Sequence, residues 1–266
     1  MARKIRCLVD RVTDHGDRVY TLVLKPERPV PTFRPGQFLH LALDDYDPSG
    51  FWPESRVFSI ASSPQERDRL VVCYSVKGAY TIRMERECVP GKQVWVKMPY
   101  GDFVVDGTRD VVLIAGGTGI TAFQAFINGL KPDHSQRVRL LYGARRRELL
   151  LALELIEQKR RETVSLQANY FSETATEGTG PEILLGRVRL DVVNHCIDAA
   201  PTERRPPSNF KMEGAALSAP GVIDGCCFDV STVYYLAGPP VMIAALREEL
   251  VQRGVSVDNI RIDAWE

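Results

Sequence analysis

The sequence predicts a two-domain protein of the β + α/β class, in which an antiparallel barrel with one short helix precedes a parallel sheet with flanking helices. Its 266 residues correspond to two ordinary domains. From residue 3 to about 105, short β-rich runs alternate with turn residues, whereas buried strands, Gly-rich turns and helices alternate from Val111 onwards. We expect the boundary near Gly101 to Arg109, which gives domains 1–106 and 107–266.

Six β-rich runs, separated by turns such as DHGD, RPG and VPGK, predict the antiparallel barrel. In chain order they are KIRCLVDRV, VYTLVLK, QFLHLAL, RVFSIAS, LVVCYSV and QVWVKM. The pattern predicts one helix in this half of the chain. Thr81 is its expected N-cap, IRMEREC its body, and the VPG turn its end.

The second half is predicted to form a Rossmann-like parallel sheet, because strands alternate with helices of crossover length. The predicted strands are VVLIA, VRLLYGA, VSLQANYF and VYYLA, and the predicted helices include ITAFQAFINGL and RRELLLALELIEQKRR. The final segment, VDNIRIDAWE, is expected to form an edge strand. Residues 196–230 are rich in Pro, Gly, Ser and charged residues, which predicts an irregular exposed insertion, either a docking loop or a tolerated surface insertion.

Composition argues against several classes of function. Lys+Arg and Asp+Glu both number 34, so no net charge recruits a nucleic acid or an anionic membrane. No apolar run approaches the roughly 18 residues of a membrane span. The cysteines and histidines show none of the spacings that hold zinc or an iron–sulfur cluster. We therefore expect a cytoplasmic protein with no metal site, no nucleic-acid partner and no membrane span.

The segment RVFSIAS, which begins at Arg56, carries the most informative chemistry of the predicted barrel. Strand alternation puts Arg56 and Phe58 on one face and Val57 and Ser59 on the other. The Arg56 guanidinium can donate two hydrogen bonds to a pyrophosphate, and the Phe58 ring offers an aromatic face to a planar ligand. The Ser59 hydroxyl can donate or accept a hydrogen bond beside them.

Two Gly-rich turns follow strands of the predicted parallel sheet. AGGTG begins at Ala115 and leads into a helix, while AGPPVM begins at Ala237. Both lie at the carboxyl ends of strands, where open α/β sheets bind ligands, and glycines allow the backbone to approach a pyrophosphate. A third turn, from Lys77 to Thr81, opens the short helix of the barrel, and a helix N-terminus stabilises a bound phosphate.

Together these segments resemble the ferredoxin–NADP reductase superfamily of flavoprotein oxidoreductases, whose flavin motif reads Arg-x-Tyr/Phe-Ser. Nine segments occur in the family's order: PGQF, RVFSIAS, GAYT, PYGDF, AGGTGIT, YGARRREL, GRV, AGPPVM and IDAW. The resemblance covers nearly the whole chain. It implies an N-terminal FAD-binding barrel and a C-terminal NAD(P)-binding domain, without an iron–sulfur domain.

The resemblance implies an NAD(P)H-dependent reductase in which hydride passes from the nicotinamide to bound FAD. Electrons then leave to a separate acceptor protein, such as a ferredoxin, an oxygenase, or another haem or iron–sulfur component. Two alternatives stay open. One is a flavin reductase that uses diffusible flavin as a substrate, and the other is a regulatory or electron-transfer subunit with weak NAD(P)H chemistry.

The choice between NADH and NADPH depends on the loop after the third parallel strand. NADPH-preferring relatives commonly place Ser-Arg there, whereas this chain has Ser172 and Glu173, and the Glu173 carboxylate repels a 2′-phosphate. Arg145, Arg146 and Arg147 favour NADPH, because any of them could reach that phosphate. We expect NADH as the donor, with NADPH as the alternative.

The remaining site residues follow from the resemblance. The family's last Gly-rich turn usually reads Cys-Gly-Pro, so Ala237 is a departure that bears on nicotinamide positioning and turnover. Trp265 in the terminal IDAWE either covers the flavin or docks onto the core. The resemblance assigns catalytic roles to Phe58, Ser59 and Thr118. It assigns cofactor binding to Arg56, Val57, Phe58, Ser59, Cys73, Tyr74, Gly78, Ala79, Tyr80, Thr81, Gly116, Gly117, Thr118, Gly119, Thr121, Gly143, Arg145, Ser172, Glu173, Ala237, Gly238, Pro239, Pro240, Met242 and Trp265.

Overall fold

The first half of the chain forms an antiparallel barrel in the computed structural model, which describes residues 2–175, 180–192 and 231–263. Its elements are β1 Arg3–Asp14, β2 Val19–Pro26, β3 Phe38–Ala42, β4 Ser55–Ser59, β5 Leu70–Ser75, α1 Ala79–Glu87 and β6 Gln93–Tyr100. The strand order is β4-β3-β6-β1-β2-β5. The two outer strands, β4 and β5, also contact each other, so the sheet is nearly closed and has a single seam.

The second half forms a six-stranded parallel sheet with helices, as the sequence predicts. Its elements are β7 Val111–Gly116, α2 Thr121–Gly129, β8 Val138–Ala144, α3 Leu153–Glu162, β9 Leu166–Ser172, β10 Ile183–Leu185, β11 Val233–Ala237, α4 Pro240–Gln252 and β12 Ile260–Ile262. The strand order is β10-β9-β8-β7-β11-β12. Every residue of β7 is buried, as expected for a central strand covered on both faces.

The barrel core follows from strand alternation. On β1, Ile5, Cys7 and Val9 are each 1% exposed, while the residues between them face solvent. Burying a side chain of this size contributes roughly 1.5–3 kcal/mol. On β1 the alternation therefore fixes which side points inward and which side faces solvent.

One predicted helix start in the barrel is wrong. The helix α1 begins at Ala79 with Gly78 as its N-cap, whereas Thr81, the expected N-cap, is the third residue of the helix. The Thr81 Oγ1 accepts a hydrogen bond from the Gly78 N–H at 3.1 Å. Thr81 thus closes the first turn from inside the helix, in the position that Glu or Gln takes in a capping box.

A second helix start, in the predicted RRELLLALELIEQKRR, is also wrong. Residues Arg147–Leu149 form a 3₁₀ turn, and α3 begins only at Leu153. Ala152 has φ +56°, in the left-handed region, which no α-helix contains. Arg145, Arg146 and Arg147 consequently lie between β8 and α3, at or before the 3₁₀ turn, and not at the start of an α-helix.

Other expectations were confirmed or are still predictions. The predicted edge strand β12 is observed, whereas the short β10 was not predicted. The expected insertion 196–230 lies outside the described residues, and the proposed boundary at 106/107, between β6 and β7, stays a prediction. Among residues 2–175, 180–192 and 231–263, no helix is both long enough and apolar enough to cross a bilayer.

Candidate functional site

Aromatic side chains line the barrel seam. The ring centroids of Phe58 on β4 and Tyr74 on β5 lie 6.2 Å apart, so these two predicted residues meet across the seam. Tyr20 on β2 stacks against Tyr74 at 5.4 Å, and its hydroxyl donates to Glu85 Oε1 at 3.1 Å. Sequence reasoning missed Tyr20, because nothing in VYTLVLK distinguishes it from an ordinary strand residue.

The hydroxyl of Tyr74 has no hydrogen-bond partner in the described part of the chain. Its oxygen is buried and makes no hydrogen bond with any residue that the structure describes. Burial raises the pKa of this phenol above its ordinary value, so the group is a neutral donor. Because an unpaired buried hydroxyl is costly, Tyr74 marks a place where a polar ligand atom fits.

Arg56 lies close to the start of α1. Its guanidinium carbon is 4.9 Å from the ring centroid of Tyr80, the second residue of that helix. Its Nη2 is 3.1 Å from Glu54 Oε1, and its Nη1 donates to the Ser55 carbonyl oxygen at 3.0 Å. The structure thus brings the predicted phosphate ligand Arg56 to the predicted phosphate-binding helix terminus. Glu54 is a competing partner that sequence reasoning did not identify.

The first turn of α1 leaves space for a ligand. A Cβ at Gly78 would meet no atom within 4 Å. The Thr81 Oγ1 accepts from the Lys77 N–H at 2.9 Å and donates to the Gly78 carbonyl oxygen at 3.0 Å, so this hydroxyl holds the turn together. The Tyr80 hydroxyl donates to the Leu41 carbonyl oxygen at 2.7 Å and anchors the helix on the barrel.

Cys73 points away from Tyr74, into the interface between the two halves. Its Sγ lies 3.2 Å from Thr21 Oγ1. It packs in one buried cluster with Ala115, which precedes the Gly117–Ile120 turn, and with Ile120, the last residue of that turn. Burial raises the pKa of the Cys73 thiol to about 11. Cys73 is therefore a neutral, buried contact between the barrel and the parallel sheet.

The two Gly-rich turns of the parallel sheet pack directly against each other. A Cβ at Gly119 would lie 2.3 Å from the Ala237 carbonyl oxygen, and a Cβ at Gly116 would lie 2.6 Å from Met242 Sδ. At Gly119 only glycine permits this approach, because the contacted atom belongs to the backbone, whereas at Gly116 the Met242 side chain would have to move. Gly117 differs, because it has φ +53° and no atom within 4 Å of a Cβ position. Gly117 leaves the ligand side of the turn open.

Two threonines of this turn are placed differently. The buried Thr121 Oγ1 donates to the Thr118 carbonyl oxygen at 2.8 Å, so its hydroxyl supports the turn from within. Thr118 is half-buried at the Gly117 side. Ala237, which replaces the family's usual cysteine, is fully buried at the end of β11. Gly238, Pro239 and Pro240 follow it as the α4 N-terminal turn.

The loop after β9 contains an ion pair that the sequence did not indicate. Glu173 Oε1 lies 3.0 Å from Arg187 Nε. Arg145 is exposed nearby, and its carbonyl oxygen is 3.5 Å from the buried Ser172 Oγ. The predicted Glu173 is therefore paired with the cation Arg187.

Gly143, on β8, packs closely against Val188, because a Cβ at Gly143 would lie 2.5 Å from the Val188 Cγ2.

The three arginines that favoured NADPH are not equivalent. Arg146 Nη2 is 2.8 Å from Asp17 Oδ1 on the barrel. Arg147 packs against Gly180, where a Cβ would lie 2.6 Å from its Nη2. Arg145 is therefore the member of this group that faces solvent.

The predicted Trp265 lies outside the described residues. In the described part of the chain, no three His, Cys, Asp or Glu side chains gather to hold a metal ion.

Comparison with known proteins identifies the second half of the chain. The family described as "Oxidoreductase NAD-binding domain" matches residues 113–248, about half of the sequence. The chain is 33% identical over 158 residues to the reductase component of phenol 2-monooxygenase from Pseudomonas sp. (strain CF600), covering 58% of this chain and 43% of that one. It is 29% identical over 164 residues to the NAD(P)H-flavin reductase of Vibrio harveyi, covering 58% and 66%. The chain spans less than half the length of the phenol 2-monooxygenase reductase.

Solved structures extend the likeness to both halves. The ferredoxin reductase in carbazole 1,9a-dioxygenase superposes with a TM-score of 0.70 at 20% identity, covering 100% of this chain and 70% of that one. The flavohem-like FAD/NAD-binding domain of nitric oxide dioxygenase from Vibrio cholerae O1 biovar El Tor has a TM-score of 0.66 at 18% identity, covering 97% of each chain. The chain therefore belongs to the oxidoreductase NAD-binding domain family and has the two-domain fold of ferredoxin reductases.

Proposed function

We propose that this chain oxidises NADH with a bound FAD and passes the electrons to a separate acceptor protein. One observation carries the proposal. The strand β5, which contributes Tyr74 to the seam, contacts the Gly117–Ile120 turn of the nucleotide domain. A planar group in the seam and a nucleotide on the Gly117 turn would therefore be neighbours at the junction of the two domains, as hydride transfer requires.

The residues present fit FAD. The partnerless Tyr74 hydroxyl offers a hydrogen bond at the seam, and Phe58 offers a ring beside it. Arg56 and the open turn at Gly78 offer a guanidinium and the positive end of a helix dipole to a pyrophosphate. In this proposal Phe58 and Tyr74 hold the ring system, and Arg56 and the N-terminus of α1 hold the phosphates.

FAD supplies hydride acceptance from a nicotinamide and release of electrons one at a time. The chain's own residues bind the two cofactors and orient them towards each other. The half-buried Ser59 hydroxyl provides a hydrogen bond at the seam, and the backbone N–H groups around Gly117 and Thr118 bind the nucleotide pyrophosphate. The buried Ile120 and Ala237 exclude water from the junction.

Relatives support a separate acceptor. Besides the phenol 2-monooxygenase reductase, the chain is 29% identical to the anthranilate 1,2-dioxygenase electron transfer component of Acinetobacter baylyi over 144 residues. Both names describe proteins that hand electrons to a partner. A ferredoxin, an oxygenase or another haem or iron–sulfur protein is therefore the proposed class of acceptor, and a cytoplasmic location stays a prediction.

An anaerobic titration tests the proposal. The purified, FAD-loaded protein receives one equivalent of NADH or, separately, NADPH, and the visible spectrum is followed in a stopped-flow instrument. We expect NADH to bleach the flavin absorbance rapidly and Arg56→Ala to lose bound FAD. A protein that binds FAD but that neither nucleotide reduces would contradict the proposal and favour the regulatory subunit.

A second candidate, a flavin reductase with diffusible flavin, is favoured by the Thr81 hydroxyl, because it is engaged within its own turn and not free for a phosphate. Gel filtration separates the two candidates. Flavin that stays with the protein at equimolar ratio supports bound FAD. Complete loss of flavin, together with NADH oxidation that needs added free flavin, would establish the flavin reductase.

A further inference from the structure

Tyr20 contacts both parts of the proposed flavin site. It lies on β2, directly opposite Tyr74 of β5 in the antiparallel register, so the two side chains leave the sheet on the same side. Their ring centroids are 5.4 Å apart, and the ring planes differ by only 26°. The proposed function uses Tyr74 to hold the flavin ring system but gives Tyr20 no role.

The Tyr74 ring is held by packing against other rings. Tyr20 stacks on it nearly parallel, while Phe58 meets it at 6.2 Å with an angle of 63° between the planes. Both arrangements are favourable for aromatic pairs. The Tyr74 hydroxyl has no hydrogen-bond partner among the described residues, so no polar contact with them fixes the ring. The orientation of Tyr74 therefore depends in part on Tyr20.

The hydroxyl of Tyr20 reaches the helix α1. It donates to Glu85 Oε1 at 3.1 Å, and Glu85 belongs to the helix whose first turn the proposed function assigns to the FAD phosphates. Desolvation and the Glu85 carboxylate raise the pKa of the Tyr20 phenol, so the group remains a proton donor. A hydrogen bond to a carboxylate is stronger than one between neutral groups. Tyr20 thus connects the Tyr74 ring to α1.

Arg18 holds the Glu85 carboxylate in place. Its Nε donates to Oε1 at 3.0 Å and its Nη2 to Oε2 at 2.5 Å, which is a bidentate pair. These hydrogen bonds, with that from Tyr20, hold the pKa of the Glu85 carboxyl below its ordinary value, so the acceptor is ionised. Bidentate pairing also fixes the direction in which the carboxylate points. The Tyr20 hydroxyl is therefore bound to an oriented, charged group.

We propose that Tyr20 is a positioning residue for the flavin. Its ring orients Tyr74, and its hydrogen bond to Glu85 sets the separation between the ring subsite in the seam and the phosphate subsite at the start of α1. The inference rests on the proposed function and adds the residue that joins the two parts of the FAD site.

A fixed separation matters because FAD occupies both subsites at once. When one part of the molecule has bound, the other part meets its subsite at an effective concentration that depends on the geometry between them. Preorganised subsites also reduce the cost of ordering side chains on binding. Riboflavin, which has the ring system but no phosphate, occupies the ring subsite alone. The two flavins therefore report separately on the stack and on the link to α1.

Fluorescence titration of the apoprotein with FAD and, separately, with riboflavin tests the proposal. Tyr20→Phe keeps the ring and removes the hydrogen bond to Glu85, so FAD should bind about threefold more weakly while riboflavin binding is unchanged. Tyr20→Leu also removes the stacked ring, so we expect both flavins to bind about tenfold more weakly. The return of riboflavin affinity in Tyr20→Phe would identify the ring as the orienting group.

Glu85→Ala tests the hydrogen-bonded link from its other end. It should weaken FAD binding without changing riboflavin binding. Adding Tyr20→Phe to Glu85→Ala should then have no further effect, because both substitutions remove the same hydrogen bond. Additive losses of FAD affinity in the double variant would overturn the link to α1.

Tyr46→Leu is the matched control for loss of a ring. Tyr46 is also a half-buried barrel tyrosine, and its ring centroid lies 5.4 Å from those of Trp52 and Trp95, outside the proposed site. Tyr46→Leu should lower the free energy of unfolding about as much as Tyr20→Leu does and leave both flavin affinities unchanged. Equal losses of flavin affinity in the two leucine variants would show that Tyr20 only stabilises the barrel, and would overturn the proposal.

Three further results would overturn the positioning role: a parent that binds neither flavin, a Tyr20→Leu variant that binds FAD as the parent does, and a Tyr20→Phe variant that changes FAD and riboflavin binding by the same factor. Failure of the proposed function is distinguishable from these. A parent that binds FAD but is not reduced by NADH would contradict the proposed function alone, because the titrations do not depend on reduction.

Discussion

Arg146 Nη2 lies 2.8 Å from Asp17 Oδ1, and this ion pair joins the nucleotide domain to the barrel. Asp17 belongs to the β1–β2 turn, where Gly16, Asp17 and Arg18 have φ values of +82°, +49° and +58°. Two successive non-glycine residues in the left-handed region cost conformational energy. Arg18 pairs with Glu85 of α1 at 2.5 Å. The turn thus directs the Arg18 side chain to α1 and the Asp17 side chain to the nucleotide domain.

Asp17→Asn tests the link between the domains. Asparagine tolerates a left-handed backbone and keeps the shape of the side chain, so the variant removes little besides the charge. Because the paired side chains are 44% and 35% exposed, we expect the free energy of unfolding to fall by only about 0.5–1 kcal/mol. Urea denaturation in 0.05 M and 1 M NaCl measures the change, which should shrink at high salt. The same decrease in an Arg146→Gln background would contradict the pairing.

Glu54→Gln tests the competition for Arg56. The Glu54 carboxylate now pairs with the guanidinium that the proposal assigns to the FAD pyrophosphate. Neutralising Glu54 should free Arg56 and lower the dissociation constant for FAD about two- to threefold. Arg56→Ala should raise that constant roughly tenfold or more, because a charge-assisted hydrogen bond contributes about 1.5–3 kcal/mol. Fluorescence titration of the apoprotein measures both. Equal weakening by the two substitutions would show that Glu54 itself holds the cofactor.

Arg187→Ala tests the choice of nucleotide. Arg187 pairs with Glu173, so the carboxylate that was expected to repel a 2′-phosphate is partly neutralised. Removing Arg187 should lower kcat/KM for NADPH about five- to tenfold and leave that for NADH nearly unchanged. Glu173→Gln should raise the NADPH value. Steady-state reduction of ferricyanide with each nucleotide measures the ratio, and Arg189→Ala is the matched control. Parallel losses with both nucleotides would place Arg187 outside the adenosine site.

Two glycine substitutions distinguish a glycine that is needed for packing from a glycine that leaves room for a ligand. Gly119→Ala should destabilise the nucleotide domain by several kcal/mol, because its Cβ would lie 2.3 Å from a backbone oxygen. Gly78 has φ −144°, and a Cβ at this position would meet no atom within 4 Å, so Gly78→Ala should leave the free energy of unfolding nearly unchanged. It should still weaken FAD binding, because the methyl group enters the space proposed for the phosphates. Thermal unfolding and FAD titration measure the two effects, and unaltered FAD binding in Gly78→Ala would move the phosphates elsewhere.

Sequence periodicity predicted the two domains well because their cores depend on local patterns. The alternation of β1 and the uninterrupted apolar run of β7 each determine how a strand is buried. Helix starts depend on single residues, and this is where prediction failed. A left-handed Ala152 delays α3, and Thr81 closes α1 from its third position. No propensity scale distinguishes these cases from ordinary helical alanine and N-cap threonine.

The candidate site divides in the same way. Glycine-rich turns and the Arg-x-Phe-Ser segment were recognisable because their chemistry resides in adjacent residues. The pairs Glu173–Arg187 and Asp17–Arg146 were not, because each joins segments that meet only after folding. The charge available to a ligand depends on these pairs, and the sequence alone indicates neither the pairing of Glu173 with Arg187 nor that of Arg146 with Asp17.

Cys73→Ala tests whether the Cys73 thiol is buried between the two domains. The test is the pH dependence of the free energy of unfolding. The Cys73 thiol has its pKa raised from 9.0 to about 11 by burial, so the folded protein keeps the proton where the unfolded chain releases it. Unfolding at pH values between these two therefore releases a proton, and the free energy of unfolding falls by up to about 1.4 kcal/mol per pH unit as the pH rises. Cys73→Ala lacks this contribution.

The difference in free energy of unfolding between the parent and Cys73→Ala should accordingly be constant below pH 8 and should change in favour of the variant between pH 9 and 10. Urea denaturation under reducing conditions measures it at each pH. Cys7 and Cys88 are also buried with raised pKa values, but they are present in both proteins and cancel in the difference. A difference that does not vary with pH would contradict the burial of the Cys73 thiol between the barrel and the Gly117–Ile120 turn.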